Sequence, residues 1–100
     1  MTESTYGINY LRIPKHMRYG MRLYVERGVR PGGFLTAVLK NDLVGAITRA
    51  DEVNQAHIHD WVMFVLNELP IGCWGSEEKV ELWCKAGGAG KMFGVEKFKE

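Results

Sequence analysis

The sequence predicts an all-α fold: a compact bundle of four to five short helices with an extended N-terminal arm and a glycine-rich C-terminal tail. Three observations carry this. Apolar residues recur at helical spacing, and few segments alternate with the period of a strand. Cap-forming residues (Asp42, Asp51 and Ser76) precede the later periodic stretches. With 100 residues and 46% apolar content, the chain suits one globular domain. That domain divides into an arm (1–12), a helical core (13–86) and a tail (87–100).

In the arm, Tyr6, Ile8, Tyr10 and Leu11 can lay an extended piece against the body. Pro14 suits the first turn of a helix, where its missing N–H costs nothing. Met17, Met21, Tyr24 and Val25 follow on one face, with Lys15, Arg18 and Arg22 pointing elsewhere. Gly28 ends this helix, and Pro31-Gly32-Gly33 makes a turn. Phe34–Leu39 opens a second helix. Asp42 caps a third over Leu43–Ala50, which Gly45 weakens.

Asp51 caps the long segment Glu52–Leu69. Val53, His57, Trp61, Phe64 and Val65 make one face, and Ile58, Val62, Leu66 and Leu69 make the next. A helix apolar nearly all round reads as the central one, buried by its neighbours. Pro70 stops it. Ser76 caps a last helix with Glu77 and Glu78 in its first turn, and Val80, Leu82, Trp83 and Cys84 pack it. Ala86–Gly90 reads as a flexible glycine stretch, and Met92, Phe93 and Phe98 of the tail are available to a neighbour.

Charge is distributed unevenly. All six arginines fall in residues 1–50, where eight cations face three carboxylates; residues 51–100 hold five lysines and nine carboxylates. The halves carry +5 and −4 under a net charge of +1. Arginine suits a planar grip on phosphate or carboxylate, so the asymmetry points to an anionic ligand or an acidic partner. The balanced total argues against binding a nucleic-acid polymer. Cys73 and Cys84 form neither a disulfide framework nor a zinc motif and read as buried free thiols of a reducing cytosol. The N-terminus is polar and the longest apolar run, Trp61–Leu66, is too short to span a bilayer, so neither a secretory signal nor a membrane span is expected.

Arg18 and Arg22 share a helix face, with Lys15 one turn earlier; the plainer alternative is a solvated face with Arg22 paired to Glu26. Asn41, Asp42, Arg49, Asp51 and Asn54 sit in the most apolar block. They read either as caps and backbone partners or as a polar pocket at a helix junction. His57 and His59, two apart, diverge on a helix and do not make a joint metal site; His57 reads as packed, oriented by Asp60, and His59 as solvent-facing. Gly87–Lys91 lacks the spacing and the Ser/Thr of a phosphate loop. Trp74 either stacks on a base or plugs the bundle end. Arg12, Arg27 and Arg30, near the first helix ends, read as solvating.

Several local words stand in order. They are Ile13-Pro14-Lys15-His16-Met17-Arg18, Gly20-Met21, Tyr24-Val25-Glu26-Arg27-Gly28, Pro31 through Leu39, Asn41-Asp42-Leu43, Arg49-Ala50-Asp51, Asn67-Glu68-Leu69-Pro70 and Cys73-Trp74-Gly75-Ser76. Their order resembles a family of small proteins encoded by tailed bacteriophages and prophages, over Ile13–Trp83. No catalytic or binding residue is carried over. The resemblance implies an accessory protein of the host cytoplasm that acts by binding, and an oligomer would supply interface pockets.

The expected function is therefore counter-defence: capture of an anionic ligand, above all a nucleotide immune signal. Arg18, Arg22 and Arg49 would grip phosphate, Asn41 would read polar edges and Trp74 would stack. No cofactor, metal or catalysis is expected. One alternative is a protein–protein module that inhibits a host protein through the basic face or the Trp74 loop. Another is a small nucleotide-processing enzyme drawing on Asp42, Asp51, His57 and Asp60.

Overall fold

The computed structural model describes residues 7–92, and every regular element among them is helical. The α-helices are α1 (Arg18–Arg27), α2 (Gly33–Leu39), α3 (Leu43–Arg49), α4 (Glu52–Ala56), α5 (Ile58–Glu68), α6 (Glu77–Ala86) and α7 (Gly88–Met92). Single 3-10 turns stand at Tyr10–Arg12, Lys15–Met17 and Ile71–Cys73. The all-α class holds for these residues. The helices outnumber the expected four to five because the chain breaks at His57 and at Gly87, which takes the left-handed conformation (φ 90°). None of the described helices is long and apolar enough to cross a membrane. The expectations for Tyr6, Phe93 and Phe98 fall outside the described residues.

The caps form as their residue types dictate. Asp42 Oδ1 accepts from the Gly45 N–H (3.0 Å), Asp51 Oδ1 from Asn54 (2.7 Å) and Ser76 Oγ from Lys79 (3.1 Å). At the end of α1, Gly28 turns left-handed. Its N–H reaches the Tyr24 carbonyl and that of Val29 reaches Leu23, at 2.9 and 3.3 Å, satisfying two terminal acceptors. Pro14 precedes the 3-10 turn instead of opening α1, which starts at Arg18.

The core gathers Met21, Tyr24 and Val25 of α1, Phe34, Leu35 and Leu39 of α2, Trp61 and Phe64 of α5, and Val80 and Trp83 of α6. Burying each such side chain contributes about 1.5–3 kcal/mol. Phe34 and Phe64 both stand nearly perpendicular to Trp61, with centroids 5.4 and 6.2 Å away. Three polar ties fix this packing. Trp83 Nε1–H donates to the Tyr24 carbonyl (2.9 Å), the Tyr24 hydroxyl to the Cys73 carbonyl (2.6 Å), and Trp61 Nε1–H to Asn54 Oδ1 (3.1 Å).

Other expectations need correction. Residues 8–12 are not an extended piece: Tyr10–Arg12 forms a 3-10 turn, Ile8 and Tyr10 are buried, and Leu11 faces solvent. Glu68 fastens this segment, accepting from the Asn9 N–H (2.9 Å) and from Arg12 (3.3 Å). α5 is not buried all round. The break at His57 leaves it eleven residues long, and only its Trp61, Phe64 and Val65 are fully buried, with Ile58 partly buried against the core; Val62 and Leu66 are 45% and 56% exposed. Leu82 is likewise exposed on α6. The glycine stretch is not irregular, because Gly88–Met92 is helical and Gly88, Ala89 and Gly90 are buried; residues 93–100 of the expected tail lie outside the described residues.

Candidate functional site

Folding offsets part of the charge asymmetry. Cations of the first half pair with carboxylates of the second: Arg12 with Glu68 (3.3 Å), Arg30 with Glu77 (2.9 Å) and Lys40 with Glu77 (3.8 Å). His16 likewise meets Asp51 (3.0 Å). Within α1, Arg22 Nε lies 3.2 Å from Glu26 Oε2, the i, i+4 pair. Arg18 is half-buried and donates to the carbonyls of Ile13 (3.0 Å) and Leu11 (3.4 Å), closing the loop before α1. These two arginines are thus occupied with structural partners.

Arg49 differs. Its Nη1 donates only to the Gly45 carbonyl one turn back (3.2 Å), and among the described residues no carboxylate lies within ion-pair distance of it. The side chain runs from the end of α3 across the start of α2. A Cβ on Gly33 would stand 3.1 Å from Arg49 Cδ, so the glycine gives the arginine its bed. Gly45 is constrained from both sides: a Cβ there would meet the Asp42 carboxylate and would lie 2.9 Å from Arg49 Nη1. The helix-weakening glycine is therefore what lets the Asp42 cap and the Arg49 side chain coexist.

Arg49 lines a cleft of about 310 Å³ between α2, α3 and the Pro31-Gly32-Gly33 turn, together with Arg30, Lys40, Thr36 and Asp42. This volume is at the lower end of ligand pockets, roughly 300–1,000 Å³. Three cations against one carboxylate line it, and Glu77 stands behind Arg30 and Lys40. The hydrogen bond that Arg30 donates to the Glu77 carboxylate, the largest influence, holds its guanidinium above the ordinary pKa. Such a cleft can hold a compact anion such as a phosphate or a small phosphorylated molecule.

Of the expected site residues, only Arg49 lines this cleft. Arg18 and Arg22 lie on α1. Asn41 takes a left-handed backbone (φ 67°) between α2 and α3 and borders a separate groove. Trp74 is half-buried and packs on the core cluster. Sequence reasoning passed over Arg30 and Lys40. The available signal was a proline-glycine-glycine turn directly after Arg30, which folds that residue back towards α2.

The groove beside Asn41 is apolar, bordered by Leu43 of α3 and by Ile58 and Val62 of α5, with Trp61 and Ala46 also lining it. Leu43 and Val44 are 66% and 72% exposed. A third, open depression brings His16 and His57 together with Lys15. His57 is not packed as expected: lying at the break between α4 and α5, it faces solvent and meets Asp60 Oδ2 at 2.8 Å. Among the described residues no three His, Cys, Asp or Glu side chains converge as metal ligands would. No protein-family model, curated protein or solved structure matches this chain.

Proposed function

We propose that this protein is a binding protein that captures a small phosphate-bearing anion in the α2–α3 cleft, without turnover. The observation that carries the reading is Arg49, a guanidinium bedded on Gly33 with no described carboxylate in ion-pair range, in a cleft that also holds Arg30 and Lys40. An anion there gains charge-assisted hydrogen bonds that the chain leaves unmade. The likeness of its ordered words to small phage-encoded proteins supplies the setting. In that setting the anion is a nucleotide signal of host immunity, held in the host cytoplasm by an oligomer.

The test is mass analysis of whatever small molecule the purified protein releases on denaturation, followed by thermal shift of the ligand-free protein with linear and cyclic nucleotides. A released or stabilising phosphate compound supports the reading. Protein that carries nothing and is shifted by none of them contradicts it.

A second reading rests on the apolar groove. Exposed Leu43 and Val62 on its borders favour a protein–protein module that receives an amphipathic helix of a host protein. In that case charge reversal at Arg49 leaves partner capture intact, whereas Val62→Asp removes it.

A further inference from the structure

Glu77 lies at the first position of α6, behind the cleft and across from Arg30 and Lys40. Both of its carboxylate oxygens converge on one nitrogen of Arg30, Nη2, at 2.9 Å each. This is not the parallel two-nitrogen fork that makes the strongest arginine–carboxylate pairs. The Arg30 nitrogens Nε and Nη1 have no hydrogen-bond partner among the described residues. Lys40 Nζ stands 3.8 Å from the same carboxylate. Both partners are nearly half exposed, so the pair is screened and its net worth is small.

Resting on the phosphate reading above, we infer that Glu77, behind the cleft that Asp42 lines, is a built-in competitor that a ligand must displace from Arg30 and Lys40. The Arg30 site is therefore occupied at rest, while Arg49, with Asp42 nearby but outside ion-pair distance, is bonded only to the Gly45 carbonyl. An entering phosphate meets Arg49 first. It then takes over Arg30 and Lys40 as the Glu77 side chain swings into solvent.

The exchange sets the ligand class. A carboxylate monoanion offers Arg30 and Lys40 no more than Glu77 already does. A phosphate monoester carries nearly twice the charge of a carboxylate, pyrophosphate carries more, and each has three or more acceptor oxygens with which to reach the three cations. The cleft accordingly selects multiply charged phosphates over simple carboxylates.

The test is titration calorimetry of the full chain with inorganic pyrophosphate and with acetate, using the wild type, Glu77→Gln and Glu78→Gln. Glu78 carries the same charge one residue on and has no ion pair among the described residues. The inference expects pyrophosphate but not acetate to bind the wild type. It expects Glu77→Gln to tighten pyrophosphate about two- to fivefold, the worth of a half-exposed pair, and Glu78→Gln to match the wild type. Circular-dichroism melts confirm that both variants fold. If the wild type binds pyrophosphate but Glu77→Gln gains nothing, or gains no more than Glu78→Gln, the competitor role is overturned and the cleft reading stands. If none of the three proteins binds pyrophosphate, both fall.

Discussion

Gly28 and Gly88 meet backbone to backbone. A Cβ on Gly88 would stand 2.5 Å from the Gly28 nitrogen, and one on Gly28 would stand 2.8 Å from the Gly88 nitrogen. Both residues take positive φ, at 71° and 80°. The end of α1 and the start of α7 thus approach as closely as two chains can, which is why Gly88, Ala89 and Gly90 are buried.

Gly88→Ala should therefore cost about 2–4 kcal/mol, combining overpacking against backbone with left-handed strain. Gly7→Ala is the control, because Gly7 has a similar φ of 76° and nothing within 4 Å of a Cβ. It should cost only about 1–2 kcal/mol. Urea unfolding of the two variants checks the difference; equal losses would show that the close approach contributes nothing.

Local features were legible in the sequence wherever a single residue type decides the outcome. Asp42, Asp51 and Ser76 cap the helices expected of them, and Gly28 ends α1. What escaped depends on contacts across the chain. The glycines of 87–90 read as flexible because no local property announces that Gly28 stands opposite. The apolar run of α5 read as buried all round because period alone cannot say how many neighbours a helix has. The arginine asymmetry was visible, but ion pairs such as Arg30–Glu77, 47 residues apart, can be read only from the fold. Pairing occupies Arg12, Arg22 and Arg30; of the arginines without a carboxylate partner among the described residues, Arg49 became the candidate because it lines the cleft.

Trp61 and Asn54 form a buried pair, with Asn54 2% exposed and its Oδ1 3.1 Å from Trp61 Nε1. Trp61→Phe should cost about 2–4 kcal/mol, from the stranded carbonyl and the space left behind. With Asn54→Ala, a double-mutant cycle should give a coupling of about 1–2 kcal/mol. Additive losses would mean that the bond does not join α4 to α5.

Asp51 ties stability to acid pH. The Asn54 N–H, and secondarily His16, hold its carboxyl below the ordinary 3.8. A depressed folded value means that the contribution is complete above the unfolded pKa and is lost as pH falls through the folded one. Asp51→Asn keeps a cap but has no charge to lose. Melting temperatures followed from about pH 6 down to about pH 2 should fall more steeply for the wild type than for this variant. Parallel curves would contradict the assignment.

The two thiols should separate by reactivity. Burial pushes Cys73 up to about 12, and it has no exposed surface. Burial also raises Cys84, but that residue is only half-buried. With a thiol-reactive chromophore at about pH 8, Cys84 should react slowly in the folded protein, and Cys73 only at the rate of unfolding. Two equivalent fast thiols would contradict this placement.

Arg49 is the cleft's cation without a carboxylate in ion-pair range among the described residues, and the pyrophosphate affinity of Arg49→Gln beside that of Arg22→Gln measures what it contributes. Arg22 is already paired with Glu26, so its loss should leave affinity within about twofold. Losing Arg49 should weaken binding by about tenfold or more, the worth of a charge-assisted hydrogen bond. Equal affinity in the two variants, or a greater loss at Arg22, would contradict the central claim.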